Sequence, residues 1–322
     1  MVKRIFATVL SLIMVFSMTV LPANAASAER LAESTTPVNY CQHCKQEIPA
    51  DQWIPWSTTD TGPRTGHYYL SEDTNNQSSQ ITINLDDDLM RNVICLDLRG
   101  HSYQVTGVRP FLIYGVFSIM DSVGGGEIAV TGHKSNANGA FAQVSKKSGC
   151  KDGSGEVNVY SGTLRRINDD RYVVAYGGLI YLAAGATLNL HGGKLIGGEV
   201  KARLNSSGTP INGMGGTVYA TASHVNIYGG TLTGGSALDT TLTLSDGTTK
   251  AYDGSGGNIY AEKSSTVTIS GGVVENGYCG TNVGNIYLKE SHFVMTGGTV
   301  RGGYCEGAHR ERHGARENLN YN

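Results

Sequence analysis

One short pattern repeats through the second half of the chain and constrains the fold more than any single residue does. Gly177-Gly178-Leu179-Ile180-Tyr181 returns as Gly215-Gly216-Thr217-Val218-Tyr219 and as Gly256-Gly257-Asn258-Ile259-Tyr260. It returns once more, one glycine short, as Gly284-Asn285-Ile286-Tyr287. A Gly pair follows each Tyr: Gly192-Gly193, Gly229-Gly230, Gly271-Gly272 and Gly297-Gly298. A period of roughly 25–45 residues means stacked units, none of which can bury its apolar face alone.

The spacing inside each unit identifies the strands. Thr187-Leu188-Asn189-Leu190, His224-Val225-Asn226-Ile227, Thr266-Val267-Thr268-Ile269 and His292-Phe293-Val294-Met295 alternate with period two, which sends Leu188/Leu190, Val225/Ile227, Val267/Ile269 and Phe293/Met295 to one face. Leu195, Leu232, Val274 and Val300 each follow seven residues after the first apolar residue of that strand, and Ile180, Val218, Ile259 and Ile286 precede it. Three short strands per unit, with loops of variable length at one corner, describe a right-handed parallel β-helix. Val157-Asn158-Val159, Ile128-Ala129-Val130 and Leu96-Asp97-Leu98 look like earlier rungs, for about seven coils over 71–308. Leu242 to Thr249 holds an Asp246-Gly247 turn between β-prone stretches and reads as a hairpin, and residues 199–214 read as a second excursion from the same corner.

The ends differ from the rungs. Lys3 and Arg4, the apolar run Ile5 to Leu21 and Ala23-Asn24-Ala25 read residues 1–25 as a secretory signal peptide, with an uncleaved anchor as the alternative. After cleavage no further membrane segment is expected, and the chain is secreted or at the cell surface. Residues 26–70 hold both tryptophans, Trp53 and Trp56, and are expected to cap the open end of the solenoid; sugar stacking is the other use of exposed indoles. Residues 309–322 break the repeat with a charged run and read as a disordered tail, so the chain can be a fragment continued by further β-helix coils.

Six cysteines remain in this setting. Cys279 and Cys305 lie at equivalent positions of adjacent rungs, about one strand spacing apart, and form a disulfide candidate. Cys41-Gln42-His43-Cys44 has metal-knuckle spacing, so Cys41 and Cys44 are candidate ligands of a structural zinc. No second Cys pair accompanies them, because Cys95 and Cys150 stand far away and isolated in sequence. No other cofactor is expected.

The rungs resemble exported right-handed β-helix repeat proteins of Gram-positive gut bacteria, of pectate-lyase-like fold, in which Gly-Gly-Asn-Ile-Tyr and Ser-Gly-Gly-Thr-Val units alternate. Gly66-His67-Tyr68-Tyr69-Leu70 followed by Cys95-Leu96-Asp97-Leu98-Arg99-Gly100-His101 is similar to the opening segment of that group. The resemblance covers roughly residues 38–308. It implies either adhesins and other surface modules or carbohydrate-active enzymes.

Two functions follow for comparison. A polysaccharide lyase or glycoside hydrolase needs carboxylates converging on one groove. Asp169-Asp170 and Asp86-Asp87-Asp88 are the only acidic clusters, and neither recurs on neighbouring rungs. A non-catalytic glycan-binding or adhesive protein needs an outward ladder instead. Tyr181, Tyr219, Tyr260 and Tyr287 are expected to form an exposed column, with Asn189 and Asn226 in another, and these six are the candidate glycan contacts. The favoured partners are extracellular polysaccharides or glycoprotein glycans. A net charge of −2 gives no electrostatic case for nucleic acid.

Overall fold

The computed structural model describes residues 39–75, 79–132 and 138–307, and the backbone of 317–320. The signal-peptide reading of 1–25, and most of the tail, lie outside the described residues. The described chain is an all-β parallel β-helix. Its first sheet has nine parallel strands in chain order, from Trp53–Pro55 and Gly66–Tyr69 to Thr266–Ile269 and His292–Met295. A second sheet carries the strands after the Gly pairs, such as Lys194–Ile196, Thr231–Thr233 and Val273–Glu275. A third, of seven strands, carries Ile180–Ala183, Val218–Thr221, Ile259–Glu262 and Ile286–Lys289.

The register confirms the alternation. Leu188, Val225 and Val267 are successive partners, as are Leu190, Ile227 and Ile269, and all six are fully buried. Asn189, Asn226 and Thr268 between them face outward and are half-buried. The interior changes along the rod: Trp56, Phe111, Phe117 and Phe141 fill it near the N-terminal end, with Phe111 and Phe117 rings 4.7 Å apart, and aliphatic side chains fill the rest.

Two sequence assignments need correction. Ile128–Val130 is not a first-sheet rung; Ile128 pairs with Leu164 on the second sheet. The strand that the repeat reading missed is Val116–Met120, paired between Val93–Asp97 and Glu156–Val159. Val116–Met120 escaped because two of its three outward residues, Val116 and Met120, are apolar and covered, at 4% and 1% exposure, so Ser118 alone marks the alternation.

The glycines divide into two roles. Gly230 has φ +72°, a conformation that suits the turn between first and second sheets, whereas Gly229 leaves no room for a Cβ against the carbonyl oxygen of His191 on the preceding coil. The Asn of the Gly-Gly-Asn-Ile-Tyr unit has a separate role. Asn258 and Asn285 are fully buried; Asn258 Nδ2 donates to Asn285 Oδ1 at 2.8 Å, and their oxygens accept from the backbone N–H of Gly235 and Gly277. The pair satisfies corner amides that the sheets leave unpaired.

Both excursions are hairpins, Arg203–Leu204 with Pro210–Ile211 and Thr240–Thr243 with Thr249–Tyr252. Within the stretch read as a disordered tail, the backbone of Glu317–Asn320 pairs antiparallel with Thr299–Cys305, a strand that the sequence reading did not expect.

Candidate metal centre and the outer face of the first sheet

The Cys-x-x-Cys segment is a small hairpin. Tyr40–Cys41 pairs antiparallel with Gln46–Glu47, and Lys45, at φ +57°, donates its N–H to Cys41 O at 2.8 Å. The Cys44 N–H points at Cys41 Sγ, 3.4 Å away, an interaction that stabilises thiolate charge. Opposite it stand two outward residues of the first sheet. His67 and Cys95 are register partners on adjacent strands, Cys95 between inward Ile94 and Leu96 and His67 next to inward Tyr68. The ligand atoms of Cys41, Cys44, His67 and Cys95 all lie within 4.8 Å of one another.

These four side chains can hold a metal ion. Bond lengths of about 2.3 Å to sulfur and 2.0 Å to nitrogen imply tetrahedral edges of roughly 3.5 Å between sulfur and nitrogen and roughly 3.8 Å between two sulfurs. The Cys44 Sγ to His67 Nε2 distance of 3.4 Å is close to the first of these. Cys95, read as isolated from sequence, is thus a correction, and His67 is an addition. Without a cation the thiols share protons unequally. A hydrogen bond from Cys95 lowers Cys41 to about 5, against the effect of burial. Burial raises Cys44 to about 11, and the hydrogen bond to Cys41 together with burial pushes Cys95 up. A recess of about 280 Å³ lined by His43, Cys44, Thr65, His67, Val93 and Cys95 opens beside the cluster.

Beyond the cluster the same outward column continues as Ser118, Asn158, Asn189 and Asn226. Asn226 donates to Asn189 Oδ1 at 2.9 Å, Asn189 to Asn158 Oδ1 at 2.9 Å, and Asn158 to Ser118 Oγ at 3.2 Å. Two residues further along each strand lies an aromatic stack. Tyr160 and His191 rings are 4.5 Å apart at 3°, and His191 and Tyr228 are 4.9 Å apart at 14°. His191 and Tyr228 are exposed, Tyr228 to 48%. The repeat-based search missed this stack because its residues vary in type from coil to coil.

The tyrosine column chosen from sequence does form, with Tyr181–Tyr219, Tyr219–Tyr260 and Tyr260–Tyr287 ring spacings of 5.4, 5.5 and 5.1 Å. Its expected exposure does not hold. Tyr219 and Tyr260 are only 5% and 2% exposed, Tyr176 stacks on Tyr219 at 4.6 Å, and Tyr219 Oη donates to Glu262 at 2.7 Å. Tyr181 and Tyr287, at the ends, are half-buried. Burial, with the Glu262 carboxylate behind it, raises the Tyr219 phenol far above its ordinary range. The middle of that column holds coils together rather than presenting ring faces.

The acidic clusters are likewise occupied. Asp169 accepts a 2.6 Å ion pair from Arg171, which holds its carboxyl below the usual range, and Asp170 lies 3.3 Å from Lys201 Nζ. Asp86 accepts from the N–H groups of Asp88 and Met90 within its own turn. Cys279 and Cys305 are buried register partners on adjacent strands, both as free thiols, and burial raises Cys279. No family model, curated protein or solved structure matches the chain.

Proposed function

We propose that the chain is an exported, non-catalytic β-helical protein that binds extended glycans, of polysaccharides or glycoproteins, at the cell surface or in the medium. The outer face of the first sheet carries this reading: exposed rings of His191 and Tyr228 run beside the amide ladder of Asn189 and Asn226. Tyr228, the exposed end of the stack, offers an apolar surface to a sugar ring, the edge of His191 extends it, and the amides offer hydrogen bonds beside them. Export rests on the leader pattern of residues 1–25. The lyase or hydrolase alternative loses support, because Asp169 is paired with Arg171, and Asp170 and Glu199, which line one small recess with it, share the Lys201 ammonium.

A glycan array probed with the wild-type protein and with a His191→Ala/Tyr228→Ala double variant tests the proposal. Loss of one stacking contact on Tyr228, at ~0.5–1.5 kcal/mol, predicts a loss of roughly 2–13-fold. Equal binding by the double variant overturns the assignment of this face. Release of reducing ends or unsaturated products by the wild type, abolished in Asp169→Asn or Asp170→Asn, restores the enzyme reading.

We also propose that the four-residue centre holds zinc in a structural role. Three thiolates and one imidazole are a donor set suited to zinc, and four protein ligands complete a tetrahedron with no position left for substrate. Elemental analysis of protein purified without chelator is expected to find one zinc per chain, and Cys44→Ser to lower it strongly. Wild-type protein that retains no zinc after equilibration with it at micromolar concentration refutes the assignment.

A further inference from the structure

We propose that the metal-held segment 39–48 is a strap laid over one end of the first sheet's outer face, and that its release uncovers a further part of that face. This rests on the glycan-binding reading above for its purpose, though not for its test. Ser118, Asn158, Asn189 and Asn226 occupy one outward column, in register and hydrogen-bonded to one another. Yet Ser118 and Asn158 are 0% and 2% exposed, while Asn189 and Asn226 are half-buried. The neighbouring column shows the same gradient: Met120 is buried, Tyr160 half-buried, and His191 and Tyr228 exposed.

What lies over the covered end is the strap. Cys41 and Ile48 pack into one cluster with Cys95 and Met120, and Tyr160 borders it. The His43 ring meets the Tyr160 ring edge-on at 6.4 Å, with Tyr160 Oη 3.5 Å from His43 Nδ1. Tyr160 is also the first member of the Tyr160–His191–Tyr228 stack. The strap therefore ends where the exposed aromatic run begins.

The metal site is the centre of its fastening. Lys45 N–H to Cys41 O and Ile48 N–H to Asn39 O close within the hairpin itself. Among its described residues only Cys41 and Ile48 are buried, and Cys41 is one of the four ligands. With metal bound, two ligands from the strap and two from the sheet join a single centre. Without it, buried Ile48, the His43–Tyr160 contact, the interaction of Gln42 and the weak thiol hydrogen bonds of Cys41 to Cys95 and Cys44 to His67 must order the whole hairpin against its conformational entropy. Metal occupancy then sets how much of the Asn and aromatic columns a ligand can reach.

Acetylation of tyrosine hydroxyls by N-acetylimidazole, mapped by peptide mass spectrometry, reads this directly. Zinc-loaded protein is compared with protein stripped by a chelator under anaerobic, reducing conditions. Tyr228, exposed in both states, is the positive reference, and buried Tyr219 and Tyr260 report general unfolding. The expected result is a rise in Tyr160 modification of at least about tenfold on stripping, toward the Tyr228 rate, with Tyr219 and Tyr260 still protected. Trypsin is expected to cleave after Lys45 only in the stripped protein. Tyr160 unchanged by stripping overturns the strap, and so does Tyr160 reacting together with Tyr219 and Tyr260. A glycan array run on both forms separates the two readings: absence of any binding removes the ligand face while the acetylation result still decides the strap.

Discussion

Replacing Val225 with Asp is expected to destabilise the protein by at least about 4 kcal/mol, enough to abolish or sharply lower its cooperative melting transition. Val225 is fully buried, in register between Leu188 and Val267, and its inward neighbours are aliphatic. A carboxylate there meets neither water nor a cation, so it must protonate or the coil must open. Because each coil buries its apolar face only against its two neighbours, one opened rung removes two interfaces. Thr268→Asn, on the outward side of the next strand, is the matched control. It extends the amide ladder and is expected to stay within about 0.5 kcal/mol of wild type. Thermal and urea melts followed by circular dichroism measure both. A Val225→Asp protein that melts like the wild type removes the inward assignment of the rung.

Gly257→Ala is expected to cost about 3 kcal/mol or more, through crowding rather than through dihedral strain. A Cβ on Gly257 would collide with Gly284 O, Tyr278 O and Tyr278 N, all of them backbone atoms of the following turns. No rotamer change can relieve such contacts. The preceding Gly256 differs, since its φ of +66° is what an L-residue resists. The doubled glycine of the repeat thus meets two demands, one of conformation and one of space. Urea melts of Gly257→Ala within 1 kcal/mol of wild type would show that the corner spreads easily, and the close-packing account would fail.

Much of the fold was legible because it rests on local rules. Alternation at Leu188-Asn189-Leu190 sends side chains to opposite faces of any strand, and the glycine pairs mark turns whose backbone cannot carry a Cβ. The Asp246-Gly247 hairpin was readable for the same reason. Errors arose where a surface is covered from elsewhere. Val116–Met120 shows polar alternation only at Ser118, because its other outward side chains, Val116 and Met120, are apolar and covered, and Ile128 has the right residue types for either of two sheets. Tyr219 and Tyr260 sit at outward positions as expected, but Tyr176, which belongs to no repeat, helps bury the column.

The candidate metal centre shows the division most clearly. Cys41-x-x-Cys44 advertises half a ligand set through spacing alone, since a tight turn sends both sulfurs the same way. The other half is set by sheet register. His67 and Cys95 become neighbours only when one coil stacks on the next, 28 residues (95 − 67) further along the chain. Sequence by itself determined the stacking of coils, the inward residues and the need for glycine at the corners, because these depend on a few adjacent residues. Tertiary structure alone decided which outward positions are open, covered or brought together, because coil stacking turns distant residues into neighbours and the excursions from the coils choose what lies above them.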